Sequence, residues 1–221
     1  MANYGYGNYD YASGYNSRFP YWSGISTGST NSASSATGST TYTTSCGSLD
    51  AASLNFTRFN SKFSTGTSMT LNGPVTIDQE VFTQALNSLV KGNSAMQGTG
   101  GAFIASSCDG KSLNPFIVVA IAMHESAGGV SNAALNKNNI GGIMGKNGLR
   151  TFDNVEQCID SITSTVNKRV NEGYTSIGKV GKSGRYCAKS AGANWSSQVT
   201  SFAEKLRAKY EQLLSQKYGI W

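Results

Sequence analysis

The sequence predicts a mainly helical domain behind a long polar segment, and three observations predict it. Apolar residues recur at helical spacing in several stretches after residue 75, strand-like alternation is almost absent, and the unusual composition is confined to residues 1–45. Those 45 residues hold 10 Ser, 7 Thr, 7 Tyr, 6 Gly and 4 Asn, with Asp10 and Arg18 as their only charges. Such a segment cannot bury enough apolar area to fold alone. Its tyrosines do provide contact area at low entropic cost, so it reads as a tail or assembly segment that docks on other proteins. Residues 46–74 read as a polar connector, and residues 75–221 as the globular domain, long enough to enclose a core.

The elements follow in order. After Pro74, Thr76 and Gln79 form a capping-box pattern, and Ile77, Val81, Ala85 and Leu89 continue at helical spacing. A short helix is expected over Ala102–Cys108, ended by Asp109-Gly110. Asn114-Pro115 opens a third, in which Phe116 to Met123 is apolar on every side, the mark of a buried central helix. It stops at Gly128-Gly129, and Ser131 to Arg150 turns loop-like through Asn-Asn, Gly-Gly and Asn-Gly pairs. Phe152-Asp153 leads into a long amphipathic helix with Val155, Ile159, Ile162, Val166 and Val170 on one stripe. Residues 171–194 are Gly- and Ser-rich loop or short helix, and a last helix carries Trp195, Val199, Phe202, Leu206, Tyr210 and Leu213 at helical spacing, with Trp195, Phe202 and Leu206 as core.

Charge is unevenly spread. Residues 1–110 hold four basic and five acidic side chains, residues 111–221 fourteen and seven, for a net charge of +6. A basic surface favours nucleic acid, anionic lipid or the anionic polymers of a cell wall. No extended Lys/Arg run and no nucleic-acid motif is present, so nucleic acid is not the expected partner. No apolar run is long enough to span a bilayer, and the opening Met1-Ala2-Asn3-Tyr4 carries no secretory signal. Cys46, Cys108, Cys158 and Cys187 lie far apart, with one histidine in the chain, which argues against a zinc site. They allow up to two disulfides in any of three pairings, or stand as small buried apolar groups, the reading preferred for Cys158. No metal or cofactor is expected.

The single histidine narrows the chemistry. His124-Glu125 does not begin an H-E-x-x-H metalloprotease motif, because position 128 is Gly. No Gly-x-Ser-x-Gly turn presents a serine, and nothing local marks Cys108 as an activated partner of His124. Glu125 is the stronger candidate. It ends the apolar run Ile117 to Met123 just before a glycine-permitted break, where apolar surroundings disfavour its charged form. A carboxylic acid still protonated near neutrality is what protonation of a glycosidic leaving oxygen requires. Read from periodicity alone, the same residue is a surface helix end.

The stretch Leu113-Asn114-Pro115-Phe116 through Ala122-Met123-His124-Glu125-Ser126-Ala127-Gly128-Gly129-Val130-Ser131 resembles the N-P helix and A-x-x-E-[ST]-x-x-G-x-S pattern of glycoside hydrolase family 73. These are bacterial and phage endo-β-N-acetylglucosaminidases of the lysozyme-like superfamily. Asn139-Ile140-Gly141-Gly142-Ile143-Met144-Gly145 is similar to that family's N-[LF]-F-G-I-x-G, with Gly141 in place of the aromatic. Phe152-Asp153-Asn154-Val155-Glu156-Gln157 matches Phe-x-[SN]-x-x-[EQ], and Tyr186-Cys187 with Trp195 and Val199 resembles the Tyr and Trp-x-x-x-Val that follow. The likeness covers roughly residues 75–210 and leaves residues 1–74 untouched.

The resemblance implies a lysozyme-like fold and a peptidoglycan hydrolase cutting the β-1,4 glycan backbone, with Glu125 as general acid and Tyr186 orienting the sugar or stabilising charge at the anomeric carbon. Ser126, Asn138, Asn139, Gly142 and Phe152 are the implied substrate-binding residues. His124 is expected as a structural neighbour. One departure bears on mechanism: no Asp or Glu lies between Glu125 and Asp153, so the family's second carboxylate is missing from its usual place. Asp153, Glu156 and Asp160 are the nearest alternatives in sequence. A single-carboxylate site works through the substrate's own 2-acetamido group, or through sugar-hydroxyl attack giving a 1,6-anhydro end, as in lytic transglycosylases. With the polar N-terminal segment, this points to a phage virion or tail-associated wall hydrolase, whose residues 1–45 dock on other virion proteins, or to an extracellular, cell-wall enzyme. A structural tail component with an inactive glycan-binding domain is the rival from another class.

Overall fold

The computed structural model describes residues 66–73 and 77–219, all within the second of the chain's two units, Thr40–Trp221. The tail segment expected over residues 1–45, and most of the connector, lie outside the described residues. The mainly helical expectation holds. Among the described residues are seven α-helices: α1 (Gln79–Leu89), α2 (Gly100–Cys108), α3 (Pro115–Glu125), α4 (Asn132–Lys137), α5 (Val155–Asn171), α6 (Ile177–Ser183) and α7 (Gly192–Tyr218). One antiparallel hairpin joins β1 (Met144–Gly145) to β2 (Gly148–Leu149), pairing Met144 with Leu149.

Helix α3 is the axis of the domain because it has no polar face before His124: every residue from Pro115 to Met123 is buried. Pro115 starts it with a φ already suited to a helix, and the Asn114 side chain accepts the Phe116 N–H. Helix α7 runs along α3 and also packs on α1 and α6, while α5 packs on α2 and α3. Phe116 of α3 lies edge-on to Phe82 of α1 and Tyr210 of α7, with ring centroids 5.0 and 5.4 Å apart. Edge-to-face pairs of this kind contribute about 0.5–1.5 kcal/mol each beyond the area they bury. Helix α6 meets α7 backbone to backbone at Gly181 and Gly192, where a Cβ on either glycine would overlap the other strand of chain.

Three expectations are corrected. The cap of α1 is Asp78, whose carboxylate accepts the Val81 N–H, rather than Thr76. The domain begins before residue 75: Met69 and Leu71 are buried in the core, and Thr70 and Asn72 bridge to Ser176 and Leu113. Alternate apolar residues on a short extended stretch are enough to be drawn in, although too few to register as a strand. Finally, the expected loop after Ser131 contains helix α4 and the hairpin. The Ser131 hydroxyl caps α4 at the Ala134 N–H, and Asn138 ends it in the left-handed region at φ 51°. No helix among the described residues is long and apolar enough to cross a membrane.

Candidate active site

Glu125 is the last residue of α3, and the chain leaves the helix through a tight reversal. The Ser126 hydroxyl donates to the Ala122 carbonyl at 2.6 Å and accepts the Gly129 N–H at 2.8 Å. Ala127, Gly128 and Gly129 then take positive φ in succession, 52°, 71° and 80°. Ser126 is therefore not the substrate-facing residue expected. Its side chain is 0 % exposed, and its hydroxyl is spent on closing the reversal that fixes Glu125 at the helix end.

Around the Glu125 carboxyl the structure gathers α7, the segment after α6, and Gly142 of the 138–145 loop. The Trp195 indole N–H donates to Glu125 Oε1 at 2.9 Å. Tyr186 packs on the Trp195 ring, centroids 5.0 Å apart at 41°, and His124 meets the same indole edge-on at 6.5 Å. Gly142, at φ 61°, lies against the other carboxylate oxygen: a Cβ there would stand 3.5 Å from Oε2. Oε2 has no hydrogen-bond partner among the described residues, so a small residue leaves it accessible on that side.

Burial pushes the Glu125 carboxyl up to about 7, and the Trp195 N–H, which stabilises the carboxylate, opposes this only in part. Tyr186 is raised well above its ordinary value, by burial first and then by the Glu125 charge, and so stays a neutral phenol. Burial holds His124 below its ordinary value against a hydrogen bond with Gln198. Cys187, next to Tyr186, is a free buried thiol pushed up to about 11 by burial and then by Glu125, and Cys158 is likewise free, buried and near 11. Neither is a thiolate near neutrality. Cys108 is disulfide-bonded, which removes it as a nucleophile for His124.

The remaining expected residues divide. Glu125, Tyr186 and Gly142 come together. Asn138 and Asn139 lie beside them but act on the chain. Asn138 Nδ2 donates to the Phe152 and Asp153 carbonyls at 3.0 and 3.2 Å. Asn139, 1 % exposed, donates to the carbonyls of Ile143 and Arg150, both at 2.8 Å, and accepts the Ile143 N–H at 2.9 Å. It holds the base of the hairpin closed and is corrected from a sugar ligand to an internal brace. Phe152 is also corrected: its ring is 3 % exposed, with the Arg150 guanidinium 4.6 Å from its centroid, so it anchors the start of α5 from inside. Gly141 stands where the resembled family has an aromatic, and here a Cβ would approach Ile162 Cγ1 to 2.7 Å, so α5 has taken that space.

The α7 stripe places Trp195 in the core, and it is buried, but its N–H is the one side-chain hydrogen bond to the acid among the described residues. A buried indole N–H needs a partner, which was the available signal; the partner lies 70 residues away and no local pattern names it. Of the alternative carboxylates, Asp160 accepts from Ser106 on α2 and Asp153 from Gln157, while Glu156 is exposed in the first turn of α5. No group of three His, Cys, Asp or Glu among the described residues is placed to hold a metal ion. No protein-family model and no curated protein sequence matches this chain.

Proposed function

We propose that the chain is a lysozyme-like peptidoglycan hydrolase cutting the β-1,4 glycan backbone, with Glu125 as its general acid. The observation that carries this reading is a lone carboxyl, raised to about 7 by burial, with one oxygen held and the other accessible. Because Trp195 donates to Oε1, the proton of the neutral acid resides on Oε2, the oxygen beside Gly142. A leaving glycosidic oxygen placed there receives that proton as the C–O bond breaks. Tyr186, a neutral phenol packed on Trp195, orients the sugar or steadies positive charge at the anomeric carbon.

No second carboxylate charge contributes to the Glu125 shift. This favours assistance by the substrate's own 2-acetamido group or attack by a sugar hydroxyl that closes a 1,6-anhydro ring. The polar residues 1–45 suit a segment that docks on other virion proteins of a phage tail, with the cell wall as the place of action.

The test is digestion of purified peptidoglycan by the wild type and by Glu125→Gln, with mass spectrometry of the fragments. The wild type is expected to release them and the variant to lose about 10²–10⁴ of the rate, the usual worth of a positioned acid. Reducing GlcNAc ends identify a glucosaminidase; anhydro ends identify a transglycosylase. Cleavage falls as pH rises through about 7, where the acid gives up its proton. Binding to the wall with no fragments from either protein defeats the enzyme reading and leaves the structural tail component.

A further inference from the structure

One stretch of chain beside the site, residues 173–203, carries four basic side chains and no acidic one. Three cations of the domain meet acids: Arg169 pairs with Glu172, Arg207 with Glu211, and Lys217 with Asp78 and Glu80. Lys179, Lys182, Arg185 and Lys189 are all exposed, and none makes an ion pair among the described residues. No acidic residue lies between Glu172 and Glu204, so nothing in that stretch neutralises them. Lys179 and Lys182 stand three residues apart on α6, about 4.5 Å along its axis. Arg185 follows the left-handed cap Gly184, and the methylenes of Lys189 lie across that same glycine. The four charges thus follow one continuous stretch of chain that also carries Tyr186 and packs at Gly181 on the start of α7, three residues before Trp195.

We propose that this stretch binds a phosphodiester-bearing wall polymer that lacks bases, and so holds the domain on anionic wall with Glu125 beside the glycan. The choice of a wall partner rests on the hydrolase reading; the binding surface itself does not. Three of the four cations are lysines, compact charges suited to the oxygens of a flexible polyanion rather than to planar two-point recognition. Single-stranded nucleic acid would call for exposed aromatic faces on which bases stack. The aromatic of this stretch, Tyr186, is half-buried and already packed on Trp195.

The experiment uses the full chain carrying Glu125→Gln, so that nothing is cleaved, and measures binding to polyglycerol phosphate across a salt series. Lys179→Glu with Lys182→Glu is compared with Lys205→Glu with Lys209→Glu on α7, which changes net charge equally. Thermal melting verifies that both variants are folded. The α6 pair is expected to weaken binding tenfold or more and to flatten the slope of log affinity against log salt by about one to two units. The α7 pair is expected to do much less. Equal losses for the two pairs would overturn the proposal, because net charge alone would then explain binding. Single-stranded DNA of matched charge bound as tightly as the polymer would overturn the choice of partner. Polymer binding without wall cleavage by the wild-type protein would retire the hydrolase reading and leave this surface standing; cleavage with no binding would do the reverse.

Discussion

Helix α7 contacts a carboxylate taken out of water near each end, and the two are driven in opposite directions. Glu125, at the Trp195 end, receives one neutral N–H and rises to about 7. Asp78, at the other end, is also raised by burial, but the Val81 N–H, the Lys217 ammonium and the Tyr218 hydroxyl together bring it below its ordinary value. The difference teaches that burial alone does not set the state of an acid. The number and charge of its donors do, and a site that must keep a proton gains from having few.

The first way to break the comparison is to strip the better-served carboxylate. Asp78→Ala removes a helix cap and leaves Lys217 with only Glu80, and is expected to cost about 2–3 kcal/mol in denaturant unfolding. Because Asp78 is depressed in the folded state, its contribution is present above the unfolded carboxylate value and lost as pH falls through the folded one. The wild-type and variant curves should therefore approach one another in acid.

Glu125→Gln should behave the other way. A carboxyl raised from 4.5 to about 7 binds its proton more tightly when folded, so wild-type stability declines as pH rises across that window. The variant, which keeps an oxygen for the Trp195 N–H, is expected to gain up to about 3 kcal/mol over wild type at pH 8 and to converge with it at pH 4. A variant less stable than wild type at pH 8 would refute the burial account.

Trp195→Phe sharpens the contrast by taking away the one donor while keeping an aromatic ring beneath Tyr186. Loss of a hydrogen bond to a charged group costs about 1.5–3 kcal/mol when that group is ionised, so the acid moves further up. Carbon-13 titration of the Glu125 carboxyl reads this directly, and an unchanged or lower midpoint would show that the indole does not tune it. The smallest effect is expected at Ala127, which sits at φ 52° immediately after the Ser126 reversal. Ala127→Gly should stabilise the fold by about 1 kcal/mol by relieving left-handed strain, with the titration of Glu125 unmoved.

Much of this architecture was legible in the chain. Helices α1, α5 and α7 follow from apolar periodicity, and α3 from an unbroken apolar run bounded by Asn114-Pro115 and the glycines after Ser126. Glu125 was legible too, as a carboxyl ending an all-apolar helix. Residue type did not disclose direction, however. Ser126, Asn139 and Phe152 look like ligands in a line of letters, yet their polar atoms or ring face inward, because the reversal and the hairpin need internal partners more than the cleft needs side chains. Helix α4 is too short to read from periodicity, six residues opening on Asn132 and closing on Asn136-Lys137, and its Ser131 cap supports it. The Trp195 contact was missed because it exists only once α3 and α7 lie side by side.

The contact of Gly181 with Gly192 constrains how the surroundings of Glu125 change over evolution. Two chains that touch through bare backbone admit no intermediate spacing, so the wall carrying Tyr186 and Trp195 is fixed as firmly as a hinge plate screwed to its post. Gly142, beside Glu125 Oε2, leads instead into the short hairpin, whose tip residues Lys146 and Asn147 are exposed and joined by only two residues of strand on each side. Added length is tolerated at such a tip, and Asn139 seals its base from below. Change in this domain would be written into the hairpin, while the glycine contact keeps Trp195 at the acid.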